Sequence, residues 1–190
     1  MANRTQIVCL HEGKQGRSID PVFINAFLKQ LQPNWIRPWK GSNIVRTVPG
    51  GGRTELIERM PTELKLVLSM GASTTLMVWA DLDDDMPNGL ALKNRFWAVA
   101  QEKGVSQAEF DQVVFAFAKD RLENWIEFLT AGATNESIEG PRVKHNREAA
   151  DAGRALADRC RSNRQVPPLP RSLKWSCLNW RALSERMASA

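Results

Sequence analysis

Residues 74–80 read Thr-Thr-Leu-Met-Val-Trp-Ala and run straight into Asp81-Leu82-Asp83-Asp84-Asp85. A run this apolar, with no polar alternation, suits a strand covered on both faces, the condition of a central strand in a parallel sheet. That requirement directs the chain to an α/β architecture with helices on both sides of the sheet. Residues 6–10 (QIVCL) and 113–118 (VVFAFA) behave in the same way. A fourth strand is expected from 35–39 or 44–48, with Pro38 counting against the first.

Helical spacing fills the intervals. Ser18 or Asp20 precedes Pro21, and Val22, Phe23, Ala26, Phe27, Leu28 and Leu31 follow on one face. After the breaker Pro49-Gly50-Gly51-Gly52, residues 54–70 carry a helical pattern in which Pro61 predicts a kink or a restart. The three glycines are not closed by Gly-Lys-Ser/Thr, so they read as a strand-to-helix turn rather than a Walker phosphate loop. Residues 90–103 form an amphipathic helix ending at Gly104, and 120–129 a further one. The fold class expected is α/β, with a mostly parallel, Rossmann-like four-stranded sheet flanked by helices.

Of the 190 residues 43% are hydrophobic and 25% charged, which supplies a core and excludes global disorder. The net charge of +5 is unevenly distributed: residues 141–186 hold eleven basic and four acidic residues, whereas the first 140 are slightly acidic. The expected division is therefore a body at 1–135 and a basic helical extension at 136–190. Such an extension can track phosphates through Arg147, Arg154 and Arg161, or can present a solvated helix face. Cysteines at 9, 160 and 177 have neither disulfide nor zinc-ligand spacing. No apolar stretch reaches the ~18 residues of a membrane span, and no signal peptide opens the chain, so the expected location is the cytoplasm.

Chemistry is expected where the strands end, because parallel α/β sheets gather functional groups at their C-terminal edge. Glu12 follows the first strand; Asp81 and Asp83 follow the central one. Residues two apart in an extended segment project to one side, so Asp81 and Asp83 can share a target while Leu82 turns inward. Carboxylates brought together in this way repel unless a cation holds them, and hard oxygen ligands select Mg²⁺ or Mn²⁺ over zinc. Asp85 adds a further candidate ligand. Read alone, Asp81 to Asp85 is also an ordinary solvated turn. Lys119, at the end of the last strand, is placed to stabilise developing charge; Lys14 and Arg17 can do so or can simply be solvated. Trp79, Trp97 and Trp125 occupy core positions, and Trp175 and Trp180 are expected to dock the C-terminal helix to the body or to a partner.

The strand ending in His11-Glu12-Gly13 and the later strand ending in Asp81-Leu82-Asp83 resemble the Toprim domain of topoisomerases, bacterial primases and OLD-family nucleases. The likeness covers roughly residues 5–130. The glycine-rich turn and Asp120-x-x-Glu123-x-Trp125 look like the small Toprim proteins related to OLD nucleases and RloB-type defence proteins. The resemblance implies a metal-dependent nuclease with Glu12, Asp81 and Asp83 as metal-site residues and Glu123 as a further acid. It also implies nucleic acid as the partner, DNA ahead of RNA, an ABC- or OLD-type ATPase acting in trans, and an antiviral setting; a homo-oligomer stays open. The chain has no tyrosine, which excludes a topoisomerase phosphotyrosine. The competing expectation is a non-catalytic Toprim subunit that binds nucleic acid or assembles with the ATPase.

Overall fold

The computed structural model describes residues 6–14, 16, 18–31, 45–71, 74–162 and 168–189. The order is β1 (Gln6–His11), α1 (Asp20–Leu31), β2 (Val45–Pro49), α2 (Arg53–Ser69), β3 (Thr74–Leu82), α3 (Gly89–Glu102), α4 (Gln107–Phe110), β4 (Val114–Lys119), α5 (Leu122–Ala131), α6 (Asn146–Ser162) and α7 (Arg171–Ser189). The strands form one sheet in the order β2-β1-β3-β4, with every pair parallel. The apolar runs are thus two-sided strands, as their lack of alternation requires. The fourth strand comes from the second of the two candidate segments; residues 35–39 lie outside the described ones. Helix α2 continues through a buried Pro61 without a restart, the ring being accommodated within the packed face that also carries Met60 and Leu64.

Alternate residues of each strand supply two cores. Ile7, Cys9, Met77, Trp79 and Ala116 face α1, α5 and α6, whereas Val8, Leu10, Val78, Phe115 and Phe117 face α2, α3 and α4. Helices α6 and α7 enter this packing directly: Ala149, Ala152, Leu156 and Ala157 of α6 and Leu173 and Trp180 of α7 are all buried in the first core. Trp175 of α7 reaches the second, stacking on Phe117 at 5.3 Å between ring centroids. Between these two tryptophans, α7 covers the outer edge of β4. Ser176 Oγ accepts the Phe117 N–H at 3.0 Å and donates to its carbonyl at 3.2 Å, and Asn179 Nδ2 donates to the Phe115 carbonyl at 3.0 Å. A strand edge otherwise open to pairing with other chains is thereby satisfied from within.

Helix α6 approaches α1 through a glycine. A Cβ on Gly153 would stand 2.5 Å from the Phe23 carbonyl oxygen and 3.0 Å from the Phe27 nitrogen, both backbone atoms that cannot swing aside. Gly153→Ala should therefore push the helices apart and cost about 1–3 kcal/mol, read as a lowered midpoint in urea unfolding. An unchanged midpoint would contradict this close approach.

Candidate functional site

The parallel register sets His11 beside Trp79, so β1 and β3 finish at neighbouring points of one edge. Glu12 then extends the ladder: its N–H donates to the Trp79 carbonyl at 3.1 Å, and its Oε2 accepts the Asp81 N–H at 3.0 Å. Asp81 lies opposite Ala118 of β4, while Leu82 turns into the core at 3% exposure. Beyond β4, Asp120 takes a left-handed conformation (φ 65°) and its N–H donates to the Leu82 carbonyl at 2.9 Å. Aspartate tolerates this backbone better than most side chains. The turn ties the exits of β3 and β4 together, and α5 begins two residues later with Glu123 in its first turn.

A fourth carboxylate comes from a position that the sequence presents only as a helix start. Asp20, the first residue of α1, accepts the Gly13 N–H at 3.2 Å and lies 3.3 Å from His11 Nδ1, while its own N–H donates to Ser18 Oγ at 3.0 Å. Those bonds turn Asp20 toward the end of β1. Glu12, Asp20 and Asp81 line one small pocket with Trp79, Ala80, Ala118 and Leu122.

The electrostatics of this group are unfavourable by construction. Burial pushes the Asp81 carboxyl well above the usual carboxylate range, and the charges of Asp20, Glu12, Glu123 and Asp83 push it further the same way. Burial also raises Glu12, opposed by the Asp81 N–H and the Arg53 charge and reinforced by Asp83 and Asp20. Glu123 is raised by burial, with Asp20 adding to the effect. Carboxylates that disfavour each other's ionisation in a partly dry site mark functional positions more often than structural ones.

Outside this group stands a second set in which each carboxylate faces a cation. Arg53 Nη1 lies 3.0 Å from Asp83 Oδ2, and its Nη2 lies 2.9 Å from Asp85 Oδ1. Arg95 reaches Asp85 at 3.1 Å, and Lys119 reaches Asp84 at 3.5 Å. The five-residue acidic run therefore divides: Asp81 joins the half-buried pocket with Glu12 and Asp20, and the three consecutive aspartates after Leu82 form an ion-paired rim. Among the described residues, no group of three or more His, Cys, Asp or Glu side chains is drawn together at metal-holding spacing as they stand.

Of the expected site residues, Glu12 and Asp81 line one pocket, with Glu123 and Asp83 near enough for their charges to act on Asp81; Asp85 pairs with two arginines. Lys119 occupies the strand end but pairs with Asp84. Lys14 is exposed in the loop after β1, and Arg17 lies outside the described residues. Arg147, Arg154 and Arg161 are exposed on α6, where Arg147 and Arg154 both pair with Asp151. Asp20 and Arg53 are the residues that sequence reasoning missed. The signal for each was present: an acid opening a helix after a polar loop, and a base opening one after three glycines.

No protein-family model, curated protein or solved structure matches this chain.

Proposed function

We propose that the protein hydrolyses phosphodiester bonds of nucleic acid with the help of Mg²⁺ or Mn²⁺, in the manner of the Toprim nucleases it resembles. The observation that carries this reading is the pocket shared by Glu12, Asp20 and Asp81, where the half-buried Asp81 carboxyl also feels the like charges of Glu123 and Asp83. The donor set fits a hard divalent cation, since all its members are carboxylate oxygens. A second observation supports a ligand here: Trp79 Nε1 lies buried without a hydrogen-bond partner, and Trp79 lines the same pocket. An indole N–H in that position is a donor for an incoming oxygen.

Glu12, Asp20 and Asp81 would hold the ion, with Asp83 and Glu123 as flanking acids. The ion, when bound, supplies Lewis acidity at a phosphoryl oxygen and a more acidic water. The remaining work belongs to the chain. Glu123, held by the first turn of α5, serves as the carboxylate that takes a proton from the attacking water. Lys119 opposes the charge that develops on the phosphoryl oxygens. The exposed arginines of α6 provide a basic face for the polyanion backbone.

The test is to incubate the protein with plasmid, single-stranded DNA and RNA in Mg²⁺ or Mn²⁺, with and without EDTA, following strand length on denaturing gels. Cleavage that requires the divalent ion and disappears with the chelator is expected. Intact strands in every metal, or cleavage indifferent to EDTA, would remove the proposal. An ATPase partner belongs to the same reading, and its contribution is measured by adding the ATPase to these reactions.

A further inference from the structure

Arg53 does not behave as an ordinary surface ion pair. It is the first residue of α2, delivered there by Gly50, Gly51 and Gly52, and two of these glycines adopt backbone conformations that side chains resist (φ 91° and 133°). Gly50 donates its N–H to the His11 carbonyl, and a Cβ at Gly50 would stand 2.7 Å from Leu56 Cδ1 and 3.0 Å from that same carbonyl oxygen. The turn is thus pressed against the end of β1, and it fixes the Arg53 side chain, 20% exposed, between Asp83 and Asp85. Its charge is also felt at Glu12, which it holds down against burial.

The grip on Asp83 is incomplete. Although Nη1 lies 3.0 Å from Asp83 Oδ2, it makes no aligned hydrogen bond and is buried without a partner, so the contact is Coulombic and the donor has capacity to spare. Trp79 Nε1, likewise buried without a partner, belongs to a residue of the pocket that Glu12 and Asp81 line, so an unsatisfied donor is found both in the pocket and on its rim. Asp83, meanwhile, faces two competing demands: the Arg53 guanidinium, and any cation bound by Glu12 and Asp81. One carboxylate can satisfy both only weakly.

We propose that Arg53 is an exchangeable counter-ion: it holds Asp83 and Asp85 in the ligand-free protein, gives up Asp83 when a divalent cation binds, and then turns its free donor to an oxyanion of the phosphodiester. Arg53 is in this account a substrate-binding residue kept in store by the rim. The inference rests on the metal-dependent reading above and adds a prediction of opposite sign to a merely structural role. A structural arginine, once removed, should weaken everything. A competing one, once removed, should improve metal binding while impairing substrate binding.

The experiment measures Mn²⁺ binding by calorimetry or by electron paramagnetic resonance, without nucleic acid, in wild type, Arg53→Gln, Arg53→Lys and Arg53→Gln/Asp83→Asn. Thermal melts confirm that each variant is folded. Arg53→Gln should bind Mn²⁺ roughly fivefold more tightly, the scale of one partly exposed ion pair released. Arg53→Lys, which cannot span both aspartates, should fall between. The double variant should lose the gain, because the freed carboxylate is its source. Anisotropy of a labelled single-stranded oligonucleotide in Ca²⁺ should show binding weakened roughly tenfold by Arg53→Gln and partly restored by Arg53→Lys. Equal or weaker Mn²⁺ binding by a folded Arg53→Gln overturns the exchange while leaving the metal site standing. An absence of Mn²⁺ binding in all four proteins overturns the metal reading and the exchange with it.

Discussion

Asp81→Asn should make the metal-free protein more stable and its cleavage about 10²–10³-fold slower, a combination that ordinary destabilising substitutions do not produce. The stabilisation follows from what the carboxylate endures: it is pushed toward the protonated form by burial and by Asp20, Glu12, Glu123 and Asp83. Asparagine has the same shape, carries no charge, and adds N–H donors that can face those neighbours. In a chain of this length each kcal/mol relieved raises the thermal midpoint by about 2–4 °C. The sign of the pH dependence follows from the same cause. Asp81, Glu12 and Glu123 hold protons more tightly in the folded state than in the unfolded one, so their folded-state penalty is absent below the ordinary carboxylate range and grows as pH rises through their raised values. Wild-type protein in EDTA should thus gain stability from neutrality down to about pH 5, and Asp81→Asn should flatten that slope. Mn²⁺ should reverse the order by stabilising wild type more than the variant, since only a ligand bound by the folded state raises its stability. Thermal melts with EDTA and with Mn²⁺ across that range decide the matter. A lower midpoint for Asp81→Asn in EDTA at neutral pH would mean that Asp81 is held by partners and not strained by them.

Three of the strands were legible because a parallel strand covered on both faces must be apolar at nearly every position, and such runs are hard to mistake; the edge strand β2, with Arg46 and Thr47 in it, was one of two candidates. The position of Glu12 and Asp81 at one edge follows from the same property, since parallel strands end together. What the chain did not reveal was the division inside the acidic run. Asp81 and Asp83 have the same residue type and the same strand parity, yet one lines the pocket with Glu12 and Asp20 and the other pairs with Arg53. The difference lies in where α2 begins in space, a fact of tertiary packing. Asp20 was hidden for a related reason: an acid in the first turn of a helix is already accounted for by the helix dipole, and only the bonds from Gly13 and His11 show it directed to the cluster. Charge counting marks α6 and α7 as basic because it weighs exposed side chains; the docking of α7 was signalled by its tryptophans, whereas the alanines that bury α6 gave no such signal.

Trp180→Ala should cost about 3–5 kcal/mol, the largest loss of stability expected from any single substitution in the C-terminal helices. Trp180 is 2% exposed, and its ring centroid lies 4.8 Å from Phe27 of α1, 6.0 Å from Trp79 of β3 and 6.1 Å from Trp125 of α5. One side chain at the end of the sequence thus joins the first helix, the central strand and the helix that carries Glu123. Removing it leaves a cavity that three separate elements would have to move together to close. Trp175 is only partly buried and, among the described residues, its ring stacks on Phe117, so Trp175→Ala should cost distinctly less. The consequences also differ in kind. Loss of Trp180 loosens α7 from the edge of β4, where Ser176 and Asn179 occupy the Phe115 and Phe117 backbone groups. The uncovered edge can then pair with another chain, and concentration-dependent aggregation near the unfolding midpoint is the expected sign. Urea unfolding of both variants, with light scattering during thermal melts, measures each effect. If α7 were an arm held only by its charge, Trp180→Ala would leave the midpoint where it is, and high salt would release the helix. Because the contact is apolar, salt should leave α7 in place while the alanine substitution should not.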